Sequence, residues 1–323
     1  MGSFSDKPIL SICIPTYNRS EYLRKCLESI GFQEEFQKGF VEIVISDNAS
    51  EDTTEEVVKE YVQKYQNIVY SKNEKNIRDE NFPYVLSKGN GRLRRLCNDT
   101  MIFEPDSLKE ICRVIRKYEV ERPYLFWSNG ELGMVDNIKS VDFREFVKLA
   151  NFLFTAISSF SIWDDECLNI EADTKGTELF LWQVRKALEL IYKKNSAVIC
   201  NKKLTIVQSV PNKNISYGLY KVFYQNFFEL LEPYIELKVL GNKEKEHLEK
   251  ELLFNFFMEW CINWELSTGN FQYSKEENLK AVIKRQYKGK NYWIKYICMY
   301  NLKITKRRFK RFLINSKELF LFK

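Results

Sequence analysis

The chain has 323 residues, 45% hydrophobic and 15% aromatic, enough to bury a sizeable core in one large domain or two, which excludes a mostly disordered chain. Its net charge of +6 is unevenly placed: residues 278–323 carry fourteen basic residues against the single acid Glu318, a net +13, which leaves −7 for residues 1–277. Eight cysteines without a C-x-x-C pair read as reduced thiols of a cytosolic protein rather than a disulfide frame or zinc site, and no signal peptide or run of ~20 apolar residues points to export or a membrane span.

Residues 9–14 are predicted as a buried parallel strand stopped by Pro15. Ser20 is expected to cap a helix in which Tyr22, Leu23, Cys26, Leu27 and Ile30 recur at helical spacing until Gly31. A second strand, 41–46, ends in Asp47-Asn48-Ala49-Ser50, and the helix after it has caps among Asp52, Thr53 and Thr54. Residues 67–70 supply a third strand and 80–87 a short helix. A further strand runs from Leu93 to Asn98-Asp99, Pro105 starts another amphipathic helix, and 124–127 is a buried strand. Alternating strands and helices with short connections predict a right-handed, doubly wound sheet, its nucleotide-binding-type half complete by residue 130.

The second half is read from weaker signals: an apolar, hydroxyl-rich segment at 151–163, a helix over 178–193, a strand within 203–210, and aromatic helices at 220–234 and 248–266. The expected organisation is an α/β domain of residues 1–215, with halves 1–130 and 131–215, followed by a helical region of residues 216–323. In an open α/β sheet, ligands meet the carboxyl ends of the strands, so Asp99 is expected as an exposed strand-end carboxylate placed to meet a metal-bound phosphate.

Pro15-Thr16-Tyr17-Asn18, Asp47-Asn48-Ala49-Ser50-Glu51-Asp52-Thr53 and the Asn73–Arg78 region before Asn98-Asp99-Thr100 follow in an order and spacing, over residues 9–110, that resembles family 2 glycosyltransferases of the GT-A fold. The resemblance extends more loosely to the branch acting in bacterial surface-polysaccharide assembly. It implies a Rossmann-like mixed sheet and transfer of a sugar, with inversion, from a nucleoside-diphosphate sugar such as a UDP-sugar to a glycan or lipid-linked acceptor. Pro15, Thr16, Tyr17 and Asn18 would line the nucleotide pocket, and Asp47 would accept the imide N–H of uracil, its alternative being to cap the next helix. Where the family commonly has N-I-G, this chain has Asn76-Ile77-Arg78, so Arg78 would face the nucleotide or its diphosphate unless it is only a surface cation.

The usual pair or trio of acids is reduced here to Asn98-Asp99-Thr100. Asp99 would then hold Mn²⁺ or Mg²⁺ with help from diphosphate oxygens and water, and Asn98 would bond the ribose or phosphate. The base taking the acceptor's proton is assigned first to Glu178, then to Asp173, with Asp164 and Asp165 behind them, although any of these acids could be a simple helix-end charge. A catalytically degenerate protein of the same fold is the competing reading.

The only histidine, His247, leaves no room for a His-dependent triad, and the chain has no G-x-G-x-x-G after its first strand and no P-loop. The basic tail suggests attachment at the cytoplasmic face of an anionic membrane. Trp293, Tyr296, Ile297, Tyr300 and Ile304 would form one face, and Phe309, Phe312, Leu313 and Phe320 a second face beyond a break near 305–307. A nucleic-acid-binding protein using this tail is the alternative from another class.

Overall fold

The first strand, β1 (Leu10–Thr16), lies in the middle of a five-stranded sheet, because its side chains are almost all buried and both of its edges find partners. The structure, a computed structural model, describes residues 7–210, 213–214, 217–267, 271–272 and 278–321, with the side chains of the last helix described to Leu313. The chain divides into two compact units, residues 1–209 and 210–323. In the first unit, α1 (Ser20–Gly31) and the short α2 (Glu34–Gln37) precede β2 (Val41–Asp47), α3 (Thr54–Lys64) precedes β3 (Ile68–Lys72), and α4 (Asn81–Ser87) precedes β4 (Leu93–Leu96). There follow β5 (Met101–Phe103), α5 (Ser107–Tyr118), β6 (Tyr124–Trp127), β7 (Ile138–Val141), α6 (Phe143–Ala150), β8 (Ser161–Trp163), α7 (Trp182–Lys194), β9 (Ala197–Cys200) and β10 (Thr205–Val207).

The main sheet has the order β3-β2-β1-β4-β8, parallel from β3 to β4 and antiparallel at β8. A second sheet, β6-β9-β7, is also mixed, and β10 pairs with β5. The core runs from Ile12, Ile14, Ile43 and Ile45 in the strands to Leu23, Leu27, Ile111 and Ile115 in the helices that cover them. Gly91 crosses β1 so closely that a Cβ there would stand 2.5 Å from the Ser11 nitrogen, and buried Glu42 accepts the Gly91 N–H at 3.1 Å beside it.

Several sequence expectations shift. Pro15 lies inside β1 rather than ending it: the β4 register stops at Cys13, so the missing N–H falls beyond that ladder. Ser20 is the first helical residue rather than the cap, and its N–H is taken by Asp52 Oδ2 at 3.1 Å. The helix expected from 178 starts only at Trp182, after a run of turns. Between 131 and 150 the reading of the sequence is silent, yet α6 has a clear start: Asp142 Oδ1 accepts the Glu145 N–H at 2.8 Å ahead of buried Phe143, Phe146, Val147 and Ala150.

The second unit is helical. A wide π-turn (Lys221–Asn226) enters α8 (Phe227–Glu236); α9 (Asn242–Glu251) passes through a second π-turn (Leu252–Phe257) into α10 (Met258–Glu265); α11 (Leu279–Tyr287) and α12 (Trp293–Leu321) follow. The aromatic stripes serve as core: Tyr220 stacks on Tyr224 at 4.9 Å, and Phe227, Phe257 and Tyr287 are wholly buried. His247 lies half-buried in α9. The break expected near 305–307 is absent. Buried Tyr296, Tyr300 and Ile304 are continued on the same side of α12 by Lys303 and Arg307, both paired with Glu259, and by Arg311 on the Leu266 carbonyl, so polar arms extend the seam that rings begin. Ile297 is exposed, and the expected contribution of Phe320 lies outside the described side chains, as do those of Lys317, Glu318 and Lys323.

Seven of the cysteines are buried and Cys298 is exposed; none is in a disulfide. Among the described residues, no helix is long and apolar enough to cross a membrane.

Candidate active site at the strand ends

The register pairs Thr16 with Asp47 and Cys13 with Leu96, so the residues that follow β1, β2 and β4 leave the sheet side by side. Asp99, three residues past β4, is only 2% exposed, which corrects the expectation of an exposed carboxylate. Thr16 Oγ1 donates to its Oδ2 at 2.9 Å, and Arg19 Nη1 donates to its Oδ1 at 2.9 Å. Arg19 is the residue the sequence reading passes over. It stands in the turn between β1 and α1, and only the pairing of β1 with β4 brings it to an acid eighty residues later.

Asp47 closes β2 and is wholly buried. Its Oδ1 accepts the Ser50 N–H at 2.8 Å, and its Oδ2 accepts the Tyr70 hydroxyl at 3.1 Å; burial and the adjacent carboxylate push the Tyr70 phenol up. Thr53 is the N-cap of α3 without a side-chain cap bond, and Asp52, one residue before it, takes the Thr54 N–H on Oδ1 at 3.1 Å. Burial works to raise the Asp52 pKa, but the hydrogen bonds from Thr54 and Ser20 outweigh it and hold the carboxyl below its usual range.

Neutral amides order the surrounding loops. Asn48 Nδ2 donates to Asn76 Oδ1 at 2.9 Å, and Asn48 Oδ1 accepts the Ile77 N–H at 2.8 Å. Asn18 receives the Glu51 N–H at 2.8 Å on its side chain and gives its own N–H to Ser50 Oγ at 2.8 Å. Asn18, Ala49 and Arg78 all have positive φ, at 51°, 62° and 53°. The left-handed backbone at Arg78 is the conformation that favours glycine, and here it is held by the bond from the Arg78 N–H to Asn76 Oδ1 at 2.8 Å. The Arg78 side chain is exposed, Tyr17 is 43% exposed, and Pro15 and Asn98 are half-buried, Asn98 giving its N–H to Ser158 Oγ at 3.2 Å. Next to Arg78, burial pushes the Asp79 carboxyl up to about 6, against the pull of the Arg78 charge.

The candidate bases lie in the later, turn-rich segment, and none is hydrogen-bonded to the strand-end cluster. Asp173 is paired with Arg185 at 2.6 Å and Lys186 at 3.2 Å; burial pushes its pKa up, but the two cations prevail and hold it low. Asp164 pairs with Lys7 and with Arg122 at 2.8 Å, and Asp165 with the same arginine at 2.8 Å. Glu178 is exposed, makes no ion pair among the described residues, and accepts the Gly176 N–H at 2.9 Å.

Among the described residues, no group of three or more His, Cys, Asp or Glu could hold a metal. One carboxylate beside one hydroxyl fits a divalent ion only where a diphosphate and water bring most of the oxygens, a mode common for Mg²⁺.

Residues 11–146, from β1 into α6, match the family described as glycosyl transferase family 2. The abequosyltransferase RfbV of Salmonella typhimurium is 47% identical over 85 residues, 26% of this chain and 25% of that protein. A dolichyl N-acetylglucosaminyl phosphate diacetamido-dideoxyglucuronosyltransferase of Methanococcus voltae is 29% identical over 140 residues, 43% of each chain. The chain thus spans less than half the length of these curated relatives. Residues 1–349 of S. aureus TarS are 17% identical, with a TM-score of 0.50 over 79% of this chain and 77% of that one, a likeness of fold, here the GT-A type.

Proposed function

We propose that the chain is a glycosyltransferase moving a sugar from a nucleoside-diphosphate donor, UDP by preference, to a hydroxyl of a glycan or lipid-linked acceptor in polysaccharide assembly. The observation that carries the reading is Asp99, held by Thr16 and Arg19 at the carboxyl end of the sheet, inside the segment that matches the family. Tyr17 and the Asn18 and Asn48 loops border the nucleoside, and a base N–H replaces the Tyr70 hydroxyl on Asp47 Oδ2. Arg19 and Arg78 bring positive charge to the diphosphate as it departs. Asp99 is the residue that would hold Mn²⁺ or Mg²⁺, which when bound would neutralise charge on that leaving group. Glu178 takes the proton of the acceptor hydroxyl, and inversion follows from direct attack opposite the departing diphosphate.

A lipid-linked acceptor would draw the enzyme to the cytoplasmic face of a membrane. The nucleic-acid alternative is disfavoured because Lys280, Lys290, Lys303, Arg307 and Arg308 are ion-paired within the helical unit.

The test is Asp99→Asn, which keeps the shape of a buried side chain and removes its charge. Transfer is expected to fall by about 10³-fold or more, with unfolding changed little. Thermal stabilisation by UDP in the presence of Mn²⁺ should weaken in the variant. Undiminished transfer by Asp99→Asn would overturn the assignment.

A further inference from the structure

The face of α12 expected to meet a membrane is the one that packs inward: Tyr296, Tyr300 and Ile304 are buried in the helical unit. The opposite face is apolar as well. Ile294 is 75% exposed, Leu302 57%, Phe309 61%, Phe312 66% and Leu313 45%, and exposed Cys298 lies among them. At about 100° per residue, these six side chains fall within an arc of roughly 100° and form a stripe about 28 Å long. A single helix with apolar residues on both sides has no reason in its own packing to keep the outer set, and so long an exposed stripe is uncommon on a monomer.

The charges around it indicate the occupant. Lys306 and Lys310 follow one border of the stripe and have no carboxylate partner among the described residues, and Lys295 on the same border lies over the Phe254 ring. Most other cations of this helix are committed inward: Lys303 and Arg307 to Glu259, Arg308 to Glu265, Arg311 to a carbonyl. An apolar stripe edged by uncommitted lysines suits an anionic lipid surface, with the rings in the acyl boundary and the ammonium groups among phosphates.

We infer that α12 docks the protein on an anionic membrane through Ile294, Leu302, Phe309, Phe312 and Leu313, lying in the plane of the interface as one unbroken helix. The inference rests on the proposed membrane-held acceptor for its purpose, but its chemistry is independent of catalysis.

The full chain is mixed with vesicles of phosphatidylcholine containing phosphatidylglycerol, or of phosphatidylcholine alone, and floated at low and high salt. Flotation is expected only with the anionic vesicles and at low salt. The pair Phe309→Glu/Phe312→Glu should lower partitioning by about tenfold or more, and Lys306→Glu/Lys310→Glu should lower flotation on the anionic vesicles at low salt to a similar extent. Both pairs are exposed and should leave unfolding and transfer to a soluble acceptor unchanged, so loss of flotation with transfer intact separates this inference from the catalytic one. Absence of flotation, equal flotation of the ring variant, or a ring variant whose only change is loss of a dimer in sedimentation would overturn it, the last result assigning the stripe to a second copy of the chain.

Discussion

The strand-end loops of the first unit and the seam between α12 and the helices beneath it are both held by charged side chains, in opposite manners. At the strand ends, Asp47 and Asp99 are buried and satisfied mainly by neutral donors, with Arg19 the one cation whose pairing is seen. In the helical seam, Glu259 and Glu265 meet cations of α12 and Glu249 meets Lys290 just ahead of that helix, so acid and base cancel in place. The two regions thus differ in the balance of neutral donors and counterions around their carboxylates.

The sharpest way to break this contrast is at the proposed base. Glu178 makes no ion pair among the described residues, whereas Asp173 is held by Arg185 and Lys186 and is a poor proton acceptor. Glu178→Gln should lower kcat by about 10²-fold with the donor KM nearly unchanged, and Asp173→Asn should act mainly on stability. Steady-state kinetics on both variants decides between them; an unaltered rate in Glu178→Gln would transfer the role to another acid and show that absence of a counterion does not mark the base.

The next effect belongs to the seam. Glu249 is 3% exposed and accepts the Tyr224 hydroxyl at 2.8 Å, the Lys290 ammonium at 2.7 Å and the Tyr292 hydroxyl at 3.4 Å. Glu249→Ala strips three donors of one acceptor and should destabilise the protein by about 2–3 kcal/mol in urea denaturation, with transfer by the folded enzyme unaltered. A shift below about 0.5 kcal/mol would mean that water replaces the carboxylate freely and that the seam is not held by its acids.

Much of the first unit could be read in advance where regular strands carry the chain. Alternation of apolar runs and capped helices between Leu10 and Leu96 places Asp47, Asn48 and Asp99 at strand ends with no further information. What periodicity could not supply was closure across the sheet: Arg19 meets Asp99 through register, and Tyr70 meets Asp47 through the β2–β3 pairing. The later segment was less legible because, apart from β8, residues 151–181 proceed by turns and short 3₁₀ pieces of three to five residues, which have no amphipathic period to detect. On α12, the inner and outer faces are both apolar, so hydrophobic spacing alone could not say which would be covered; the acids on α10 decide it.

The smallest effect concerns Asp79, which tests whether the strand-end loops hold every carboxylate by dipoles. Asp79 follows Arg78 in the 3₁₀ turn ahead of α4 and has no hydrogen bond among the described residues; burial pushes its carboxyl up to about 6, while Arg78 pulls it down. Its folded pKa therefore lies above the unfolded value of 3.8, and the native state binds this proton more tightly. The stability it contributes is fully present below the unfolded value and is lost as pH rises through about 6. Asp79→Asn removes the titration: the variant should match the parent near pH ~3.5 and be more stable by about 1 kcal/mol near pH ~7.5, once partial solvation of the turn is allowed for. Urea denaturation at the two pH values measures this directly. Curves that stay parallel between them would mean that Asp79 is held by solvent like a surface acid, and that the loops around Asp99 contain no carboxylate under strain.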